Sequence, residues 1–378
     1  MKIKEKVEDF IVQEVLSLNH KKNDCLVFTL EKENWDTIGV IKVIARELRI
    51  SQKRLGYAGL KDKRAVTRQK ISVFGVTKEQ LEEVNLKIPR IKIYDIEEGD
   101  RIRLGDHLGN EFNILVRDAH FTFEILKKVK NGFPNYFGVQ RFGEVRPVTH
   151  EVGRELVKGN FEKAAFLFLA KPFEKDRYYP IRKALWDTHD FKEAKMVYPP
   201  SLMYERAMLD RIHLGFKEAF KALPLRLNTL FIHAYQAHLF NTIVERRCKQ
   251  VAVTEVEPKD VVIASIEGRK VFTLAGKHNL DKIKKEGLCA AAPILGYKTQ
   301  VRGRMKEITE SVLEEEGIKK EDFRIKEFPS LSSRGTYREI LARVSDFSYA
   351  EEKEGVRLKF FLPKGQYATV FLEELFRR

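Results

Sequence analysis

One acidic residue, Asp62, lies within a strongly basic stretch of the sequence. Seven basic side chains and this single acid occur between Lys53 and Lys70. Because cations a few ångströms away favour the ionised form of a carboxylic acid, we expect Asp62 to be charged. A carboxylate on such a loop could act on a polyanion that docks there. A helix N-cap or a structural ion pair on a solvated loop explains the same charge pattern.

The residues on either side of Asp62 indicate how it is positioned. Gly56 and Gly59 permit tight backbone turns and the close approach of another group. Residues 71–76 alternate in the manner of a half-buried strand. We therefore predict that Asp62 lies on a basic loop at the edge of a sheet.

A second distinctive stretch, residues 131–143, mixes amide, aromatic and guanidinium side chains between glycines. Aromatic faces can stack on unpaired bases, amides can bond base edges, and arginine can hold phosphate. The same stretch is consistent with a purely structural role for Tyr136, Phe137 and Phe142, because most phenylalanines in folded proteins are buried.

The overall composition indicates a folded, basic protein. The chain has 378 residues, of which 43% are hydrophobic and 26 are phenylalanine. This is enough for two domains, or for one domain with a large insertion, and it argues against a disordered chain. The net charge of +15 and the isoelectric point near 9.5 indicate a nucleic acid or another polyanion as the partner.

Several common kinds of site are absent from the sequence. Cys25, Cys248 and Cys289 form no C-x-x-C pair, which argues against disulfides and a cysteine-ligated zinc. Neither glycine-rich nucleotide motif occurs, and Arg154 replaces the second histidine of an H-E-x-x-H pattern that begins at His150. No apolar run reaches the roughly 18 residues of a membrane span, and no signal peptide is recognisable. We therefore expect a cytoplasmic protein, or a nuclear one in a eukaryote, without a metal site or membrane contact.

Periodicity predicts an N-terminal part in the order β-β-α-β-α-β-β-β-α. The predicted elements are a β-hairpin of strands at 8–15 and 25–30 around a turn at 19–24, a helix from Asp36 or Thr37 to Leu48, a strand at 71–76, a helix from Thr77 to Val84, strands at 91–96, 101–104 and 111–116, and a helix at 123–130. Hairpins rather than regular βαβ alternation indicate an α+β fold with a mostly antiparallel sheet flanked by helices.

From about residue 150 the pattern becomes mainly helical. Helices are predicted at 151–170, 201–223, 227–247 and 305–316, with a hairpin at 261–266 and 271–274 that turns at 267–269. Strands at 337–349 and 355–362 and a helix after Pro363 then resume the earlier alternation. We therefore predict a catalytic sheet domain at 1–155, a large helix-rich α/β insertion domain at 156–336, and a C-terminal segment at 337–378 that completes the sheet domain.

Two long motifs, in this order, resemble the TruD family of tRNA pseudouridine synthases. Residues 59–69 (GLKDKRAVTRQ) are similar to the catalytic-aspartate motif of the family, and residues 135–143 (NYFGVQRFG) to its second signature. Further similarity lies in Lys4 with residues 8–10, in residues 237–241 and in residues 362–369. Val7 stands where a proline is common, and the long insertion resembles that of archaeal members.

This resemblance implies an enzyme with a pseudouridine-synthase-like sheet that converts one uridine of folded tRNA to pseudouridine without a cofactor or metal. Position 13 in the D arm is the usual target. The reaction breaks the glycosidic bond, rotates the uracil and rejoins it through carbon 5. By resemblance Asp62 is the essential carboxylate, and Lys4 is the cation that holds it ionised and oriented.

The resemblance also implies substrate-binding positions. Phe137 would stack on the flipped uracil, Asn135 would hold the loop or the base edge, and Phe10 would form the pocket wall. The further substrate-binding or positioning residues implied by the motifs are Lys61, Thr67, Gln69, Gln140 and Arg141. We expect tRNA shape, bound in a cleft between the sheet domain and the insertion, to select the uridine.

The expected partner is tRNA, bound by a monomer that needs no other protein. The main alternative is a non-catalytic RNA-binding or RNA-chaperone protein on the same fold. A more distant alternative is an RNA methyltransferase, which the missing glycine-rich cofactor loop disfavours.

Overall fold

The structure is a computed structural model that describes residues 2–17, 22, 24–266 and 269–376. The predicted turns at 19–24 and 267–269 lie largely outside the described residues. The chain forms two compact units, a sheet unit of Met1–Gly132 with Arg343–Arg378 and a helix-rich unit of Phe133–Ala342. These units divide the chain at 132/133 and 342/343, whereas the predicted domain borders are 155/156 and 336/337.

The sheet unit contains one eight-stranded sheet. Its strands are β1 (Phe10–Leu16), β2 (Cys25–Glu33), β3 (Leu55–Tyr57), β4 (Val66–Val73), β5 (Ile91–Gly99), β6 (His107–Arg117), β13 (Ser345–Glu352) and β14 (Gly355–Pro363). Their spatial order is β13-β14-β6-β1-β4-β2-β5, and β3 pairs additionally with β4. β1 and β4 are parallel, with Ile11 opposite Val66, and the other pairings of the described strands are antiparallel. The predicted α+β class with a mostly antiparallel sheet is confirmed. The predicted hairpin of the first two strands is wrong, because β4 lies between β1 and β2.

Four helices flank this sheet: α1 (Thr37–Glu47), α2 (Lys78–Lys87), α3 (Phe123–Asn131) and α13 (Ala368–Phe376). The side chain of Asp36 caps α1 by accepting from the Gly39 N–H at 2.8 Å. Thr77 caps α2 in a reciprocal pair of bonds with Gln80. Apolar residues of α1 and α2 pack on β2, β4 and β5, and the buried members include Val40, Ile41, Ile44, Leu81, Val84, Phe28, Leu30, Ile71, Val73, Ile91 and Ile93.

A row of phenylalanines runs across neighbouring strands of the sheet, from β1 to helix α13. The ring centroids of Phe10 and Phe112 are 6.1 Å apart, and those of Phe112 and Phe360 are 5.3 Å apart. Phe360 in turn lies 4.8 Å from Phe371 of α13. Aromatic contacts of this kind add about 0.5–1.5 kcal/mol each beyond area burial. The C-terminal strand β14 and helix α13 are therefore linked to the N-terminal strand β1 through Phe112 of β6.

The helix-rich unit is built around the long helix α10. Its helices are α4 (Thr149–Val157), α5 (Phe161–Ala170), α6 (Tyr179–Thr188), α7 (Phe191–Val197), α8 (Met203–Arg211), α9 (Phe216–Lys221), α10 (Leu225–Gln250), α11 (Leu280–Lys285) and α12 (Arg304–Glu316). Its strands are β7 (Phe133–Pro134), β8 (Val261–Ile266), β9 (Arg269–Leu274), β10 (Ala290–Ile294), β11 (Thr336–Glu339) and β12 (Leu341–Ala342). Four of them form an antiparallel sheet in the order β11-β10-β8-β9, and β7 pairs with β12.

Several predicted boundaries are wrong, and in two helices the interruption lies at a glycine. Gly159, at φ 77°, separates α4 from α5 within the predicted helix 151–170. Gly215, at φ 106°, lies between α8 and α9, which together occupy the predicted helix 201–223. Residues 101–104, predicted as a strand, form none, and the next strand, β6, begins at His107. The predicted strand 337–349 is divided among β11, β12 and β13, which belong to three different sheets. Among the described residues, no helix is both long enough and apolar enough to cross a bilayer.

Candidate active site

Asp62 lies on the loop between β3 and β4 and forms an ion pair with Lys4. The Lys4 Nζ atom is 3.0 Å from the Asp62 Oδ2 atom. The Asp62 side chain remains 38% exposed, and that of Lys4 is 17% exposed. β4 lies between β1 and β2, so the loop precedes an interior strand of the sheet. The pairing of Asp62 with Lys4 that the resemblance implied is present in the sheet unit.

The backbone and the neighbours of Lys4 direct its ammonium toward Asp62. Lys4 has φ 58°, in the left-handed region that costs a non-glycine residue about 1–2 kcal/mol. Its Nζ atom lies 4.2 Å from the centroid of the Phe10 ring. Phe10 is only 1% exposed, so in this structure its ring belongs to the core and supports Lys4. Its predicted role as a wall of the substrate pocket stays a prediction.

Hydrogen bonds from α1 and β4 hold the loop that carries Asp62. The Lys61 N–H donates to Thr37 Oγ1 at 2.9 Å, and this hydroxyl donates to Gln69 Oε1 at 3.0 Å. The Gln69 side-chain amide then donates to the Gly59 carbonyl at 3.1 Å. Gln69 is 1% exposed, so its contacts in this structure are to the loop itself. This network fixes the backbone on the N-terminal side of Asp62.

A buried ion pair holds the Lys61 side chain. Its Nζ atom is 2.5 Å from Glu14 Oε1, and the two side chains are 5% and 0% exposed. A paired, buried ammonium of this kind is tied to its partner, because separating the two would leave an uncompensated buried charge. The structure therefore places Lys61 as an anchor of the loop, whereas the resemblance implied a contact with substrate.

The basic character of residues 53–70 is partly neutralised by acids from other strands. Besides Lys61, Arg68 pairs with Glu31 at 2.6 Å, and Lys70 pairs with Glu97 at 3.2 Å. Lys63 and Arg64, next to Asp62, are exposed. Fewer cations beside Asp62 are thus available to bind a polyanion than the sequence alone suggests.

Lys32 is a residue of this site that the sequence did not identify. It is 0% exposed, and its Nζ atom donates to the carbonyl oxygens of Trp35 at 2.5 Å and of Asp62 at 3.0 Å. Burial lowers the pKa of Lys32 to about 8, although the charges of Asp62 and Asp36 raise it. Lys32 therefore ties the main chain of Asp62 to the end of β2. Opposite it on β4, Thr67 is 0% exposed, and its hydroxyl has no hydrogen-bond partner among the described residues.

The alternation of strand residues contains a signal for both Lys32 and Glu14. In β1 the buried face consists of Phe10, Val12 and Glu14, and in β2 the residues Phe28, Leu30 and Lys32 share one face. A charged residue that continues an apolar face must be buried and therefore needs a partner. This pattern could have indicated two buried charges, although it does not identify their partners.

The second motif forms a separate cluster in the helix-rich unit. Asn135 is 6% exposed, and its side-chain amide donates to the Glu339 carbonyl at 2.9 Å. Its N–H donates to the Ile340 carbonyl at 2.7 Å, and its side-chain oxygen accepts from Arg338. Asn135 thus joins its loop to the segment 338–340, which supports the loop-holding role among those that the resemblance implied.

Phe137 is held on its backbone by Asn241 and on its ring by three side chains. The Asn241 side chain accepts from the Phe137 N–H at 2.8 Å and donates to the Phe137 carbonyl at 2.9 Å. Guanidinium carbons of Arg338 and Arg141 lie 4.3 and 5.5 Å from the ring centroid. Phe240 packs edge-on at 5.5 Å. The ring is half-buried and fixed in orientation, as a stacking platform requires.

Gln140 and Arg141 lie in the short 3-10 turn Val139–Arg141 that follows Phe137, and both are half-buried. Arg338 and Asn241 complete this cluster, but only Asn241 lies within a stretch that resembles the family. A single arginine in β11 has no distinguishing sequence pattern. The predicted site residues therefore fall in both compact units: Lys4, Phe10, Lys61, Asp62, Thr67 and Gln69 in the sheet unit, and Asn135, Phe137, Gln140 and Arg141 in the helix-rich unit.

Comparison with known proteins identifies the family of this chain. The family model described as tRNA pseudouridine synthase D (TruD) matches residues 1–375. A Thermococcus sibiricus protein named "Probable tRNA pseudouridine synthase D" is 37% identical over 399 residues, which cover 100% of this chain and 94% of the relative. A Methanosarcina barkeri protein of the same name is 37% identical over 406 residues, covering 98% and 92%.

A solved structure agrees with these sequence relatives. The crystal structure of a Methanosarcina mazei protein, described as "Putative tRNA pseudouridine synthase D (TruD)", matches with a TM-score of 0.82 and 35% identity. The match covers 100% of this chain and 93% of the other. The resemblance inferred from the two motifs, and the pseudouridine-synthase-like fold that it implied, are confirmed. This chain belongs to the TruD family of tRNA pseudouridine synthases.

Proposed function

We propose that this protein isomerises one uridine of tRNA, U13 in the D arm, to pseudouridine, with Asp62 as the essential carboxylate. Membership of the TruD family and the names of its relatives support the activity and the tRNA substrate. The observation that carries the role of Asp62 is its 3.0 Å ion pair with Lys4 on a loop held from several sides.

The reaction needs only a single activated group. The bond between uracil N1 and ribose C1′ breaks, a bond between C5 and C1′ forms, C5 loses a proton and N1 gains one. The product has the same atoms as the substrate, so no redox partner, co-substrate or hydrolytic water enters the balance. One ionised carboxylate, acting as nucleophile or base, is sufficient for such chemistry.

Lys4 and the rigid loop prepare Asp62 for this role. A charge-assisted hydrogen bond from an ammonium sets the direction of the carboxylate that accepts it. The side chain of Asp62 nevertheless keeps 38% of its surface exposed. An oriented carboxylate that remains accessible can meet a substrate without first rearranging the loop.

Phe137 is the proposed stacking partner of the uracil. A uridine within a stacked and paired region must leave the stack before chemistry, and a protein aromatic ring can return about 1–3 kcal/mol per base. Asn241 and Arg338 hold this ring in place, while Asn135, Gln140 and Arg141 shape the loop around it.

The net charge of +15 supports contacts with tRNA phosphates, and such contacts do not depend on the RNA sequence. The shape of the tRNA must therefore select the uridine. Action as a cytoplasmic monomer without protein partner or cofactor is part of the same proposal.

The test is pseudouridine formation by the purified protein in an unmodified tRNA transcript without any added cofactor. We expect modification at U13 by the wild type and none by Asp62→Asn, which should bind the transcript with unchanged affinity. Asp187→Asn, an exposed acid on α6, serves as the matched control. An active Asp62→Asn variant would remove Asp62 from its role. Wild-type protein that binds tRNA without isomerising it would favour the non-catalytic RNA-binding alternative.

A further inference from the structure

The four-stranded sheet of the helix-rich unit has one face in the core. In an antiparallel pair, residues directly opposite each other project to the same face. Val262 and Ala290 are such a pair, and both are fully buried in the cluster that contains Phe240 of α10. Helices therefore cover this face of the sheet.

The opposite face carries aromatic and aliphatic side chains that remain accessible. Phe272 is opposite Ile263, and Leu274 is opposite Val261, so these four side chains share the face that Val262 does not. Val261 and Ile263 in β8 are buried, whereas their partners in β9 are accessible. Phe272 is 49% exposed and Leu274 is 41% exposed. The ring centroids of Phe272 and Tyr337 are 5.7 Å apart, with 46° between their planes. Large apolar groups that stay exposed beside one another indicate a binding surface more often than a single exposed residue does.

A cavity of about 410 Å³ lies on this face. Its apolar side is formed by Phe272, Leu274 and Tyr337, and its polar side includes Lys298, Gln300 and Arg302. Lys298 and Arg302 are exposed, and none of the described lining residues is acidic. The Tyr337 hydroxyl donates to the Gln300 carbonyl at 2.6 Å, which holds the aromatic side and the polar side together.

These features match the chemistry of a nucleotide. Aromatic rings stack on bases, and cations without neighbouring acids attract phosphate. The volume falls within the range of about 300–1,000 Å³ that small-molecule sites occupy. A sheet with one face on helices and aromatic residues on the other is a recurrent platform for unpaired RNA. A purely apolar ligand would not require the two cations, and a cationic ligand would be repelled by them.

We propose that this cavity binds one unpaired nucleotide of the tRNA substrate, other than the target uridine. Its base would stack on Phe272 and Tyr337, and its phosphate would lie near Lys298 and Arg302. The proposal rests on the proposed function, because that function supplies the RNA. Such a contact would add affinity and help distinguish one folded RNA from another without taking part in the isomerisation.

The test compares Phe272→Ala with Phe123→Ala. Phe123 is a matched control, an exposed phenylalanine on α3 whose ring lies 4.9 Å from a lysine ammonium. We expect Phe272→Ala to raise the Kd for a full-length tRNA transcript about 5- to 150-fold, the range expected for one base stack. The single-turnover rate at saturating enzyme should stay unchanged. A Kd equal to that of Phe123→Ala would overturn the proposal.

A second variant tests the phosphate contact without removing apolar packing. Lys298→Gln should reduce the slope of log Kd against log salt by about one, as expected for the loss of one phosphate contact. An unchanged slope would overturn the assignment of phosphate to Lys298. These experiments distinguish an error in the proposed nucleotide site from an error in the proposed function. A wild type that forms no pseudouridine would refute the function, whereas normal binding by both variants in an active enzyme would refute only this site.

Discussion

The Lys32 ammonium donates a hydrogen bond to the main-chain carbonyl oxygen of Asp62 at 3.0 Å, across 30 residues of sequence. The same ammonium donates to Trp35 and is 0% exposed. A buried cation thus holds the backbone of the residue whose carboxylate is proposed to act. The position of Asp62 therefore depends on strand β2 as well as on its own loop.

Replacing Lys32 should separate positioning from binding. Lys32→Met keeps an unbranched side chain but removes both hydrogen bonds, so the Asp62 loop loses a charged contact. Because hydrogen bonds to charged groups contribute about 1.5–3 kcal/mol, we expect kcat to fall about tenfold or more with little change in tRNA affinity. Isomerisation assays and binding titrations measure the two effects. Lys42→Met, on the exposed side of α1, should leave both unchanged, and a fully active Lys32→Met would contradict the positioning role.

Lys32 should also make the free energy of unfolding vary with pH in the alkaline range. Burial lowers its pKa to about 8, whereas the unfolded chain titrates near the ordinary value of 10.5. Between these values the unfolded state binds more protons, so the free energy of unfolding rises with pH and then levels off. The gain in the free energy of unfolding is complete above pH 10.5, and it is lost as the pH falls from there through about 8.

Denaturant titrations of the wild type and Lys32→Met would measure this dependence. We expect the wild type to gain on the order of 3 kcal/mol relative to the variant across that interval, because each tenfold change in proton affinity corresponds to about 1.4 kcal/mol. A difference between the two proteins that is independent of pH would show that Lys32 does not titrate there.

The ammonium of Lys4 is expected to matter for turnover more than for folding. Lys4→Met removes the partner that lies 3.0 Å from Asp62 and leaves the carboxylate without its orienting charge. We expect kcat to fall at least about tenfold, which corresponds to roughly 1.4 kcal/mol on the barrier. Lys2→Met is the control, since Lys2 is exposed and pairs with Asp118 at 3.1 Å. Equal activity of the two variants would show that the Lys4 ion pair is only structural.

Asn241 should control the position of Phe137. Asn241→Leu removes a donor and an acceptor from the Phe137 backbone, and we expect the free energy of unfolding to fall by about 1–3 kcal/mol. Single-turnover isomerisation should slow as well. Asn241→Asp keeps the acceptor for the Phe137 N–H and should be less damaging than the leucine variant. If the two variants behaved alike, the paired hydrogen bonds would not be the cause.

Removal of the Phe137 ring should weaken catalysis more than overall affinity. One base stack contributes about 1–3 kcal/mol, while many phosphate contacts determine how tightly tRNA binds. We expect Phe137→Ala to reduce the single-turnover rate about tenfold or more with little change in Kd. Phe74→Ala is a suitable control, because Phe74 is exposed and its ring lies 5.8 Å from the Arg54 guanidinium. A normal rate in Phe137→Ala would refute the stacking role.

Local sequence patterns predicted those parts of the fold that neighbouring residues decide. Asp36 and Thr77 begin α1 and α2 as predicted, because a capping side chain bonds backbone groups only a few residues away. Alternation predicted β1, β2 and the C-terminal β14 for a similar reason. It failed at 337–349, since three strands in three sheets have the same local pattern as one long strand.

The sequence by itself determined which residue types could act: a carboxylate among cations, a cation near the N-terminus, and an aromatic loop rich in amides. Tertiary structure decided which groups hold them. Glu14 reaches Lys61 across 47 residues, Asn241 reaches Phe137 across 104, and Arg338 reaches Asn135 across 203. Such partners depend on strand order and on the closure of long loops, and short-range periodicity contains no information about either.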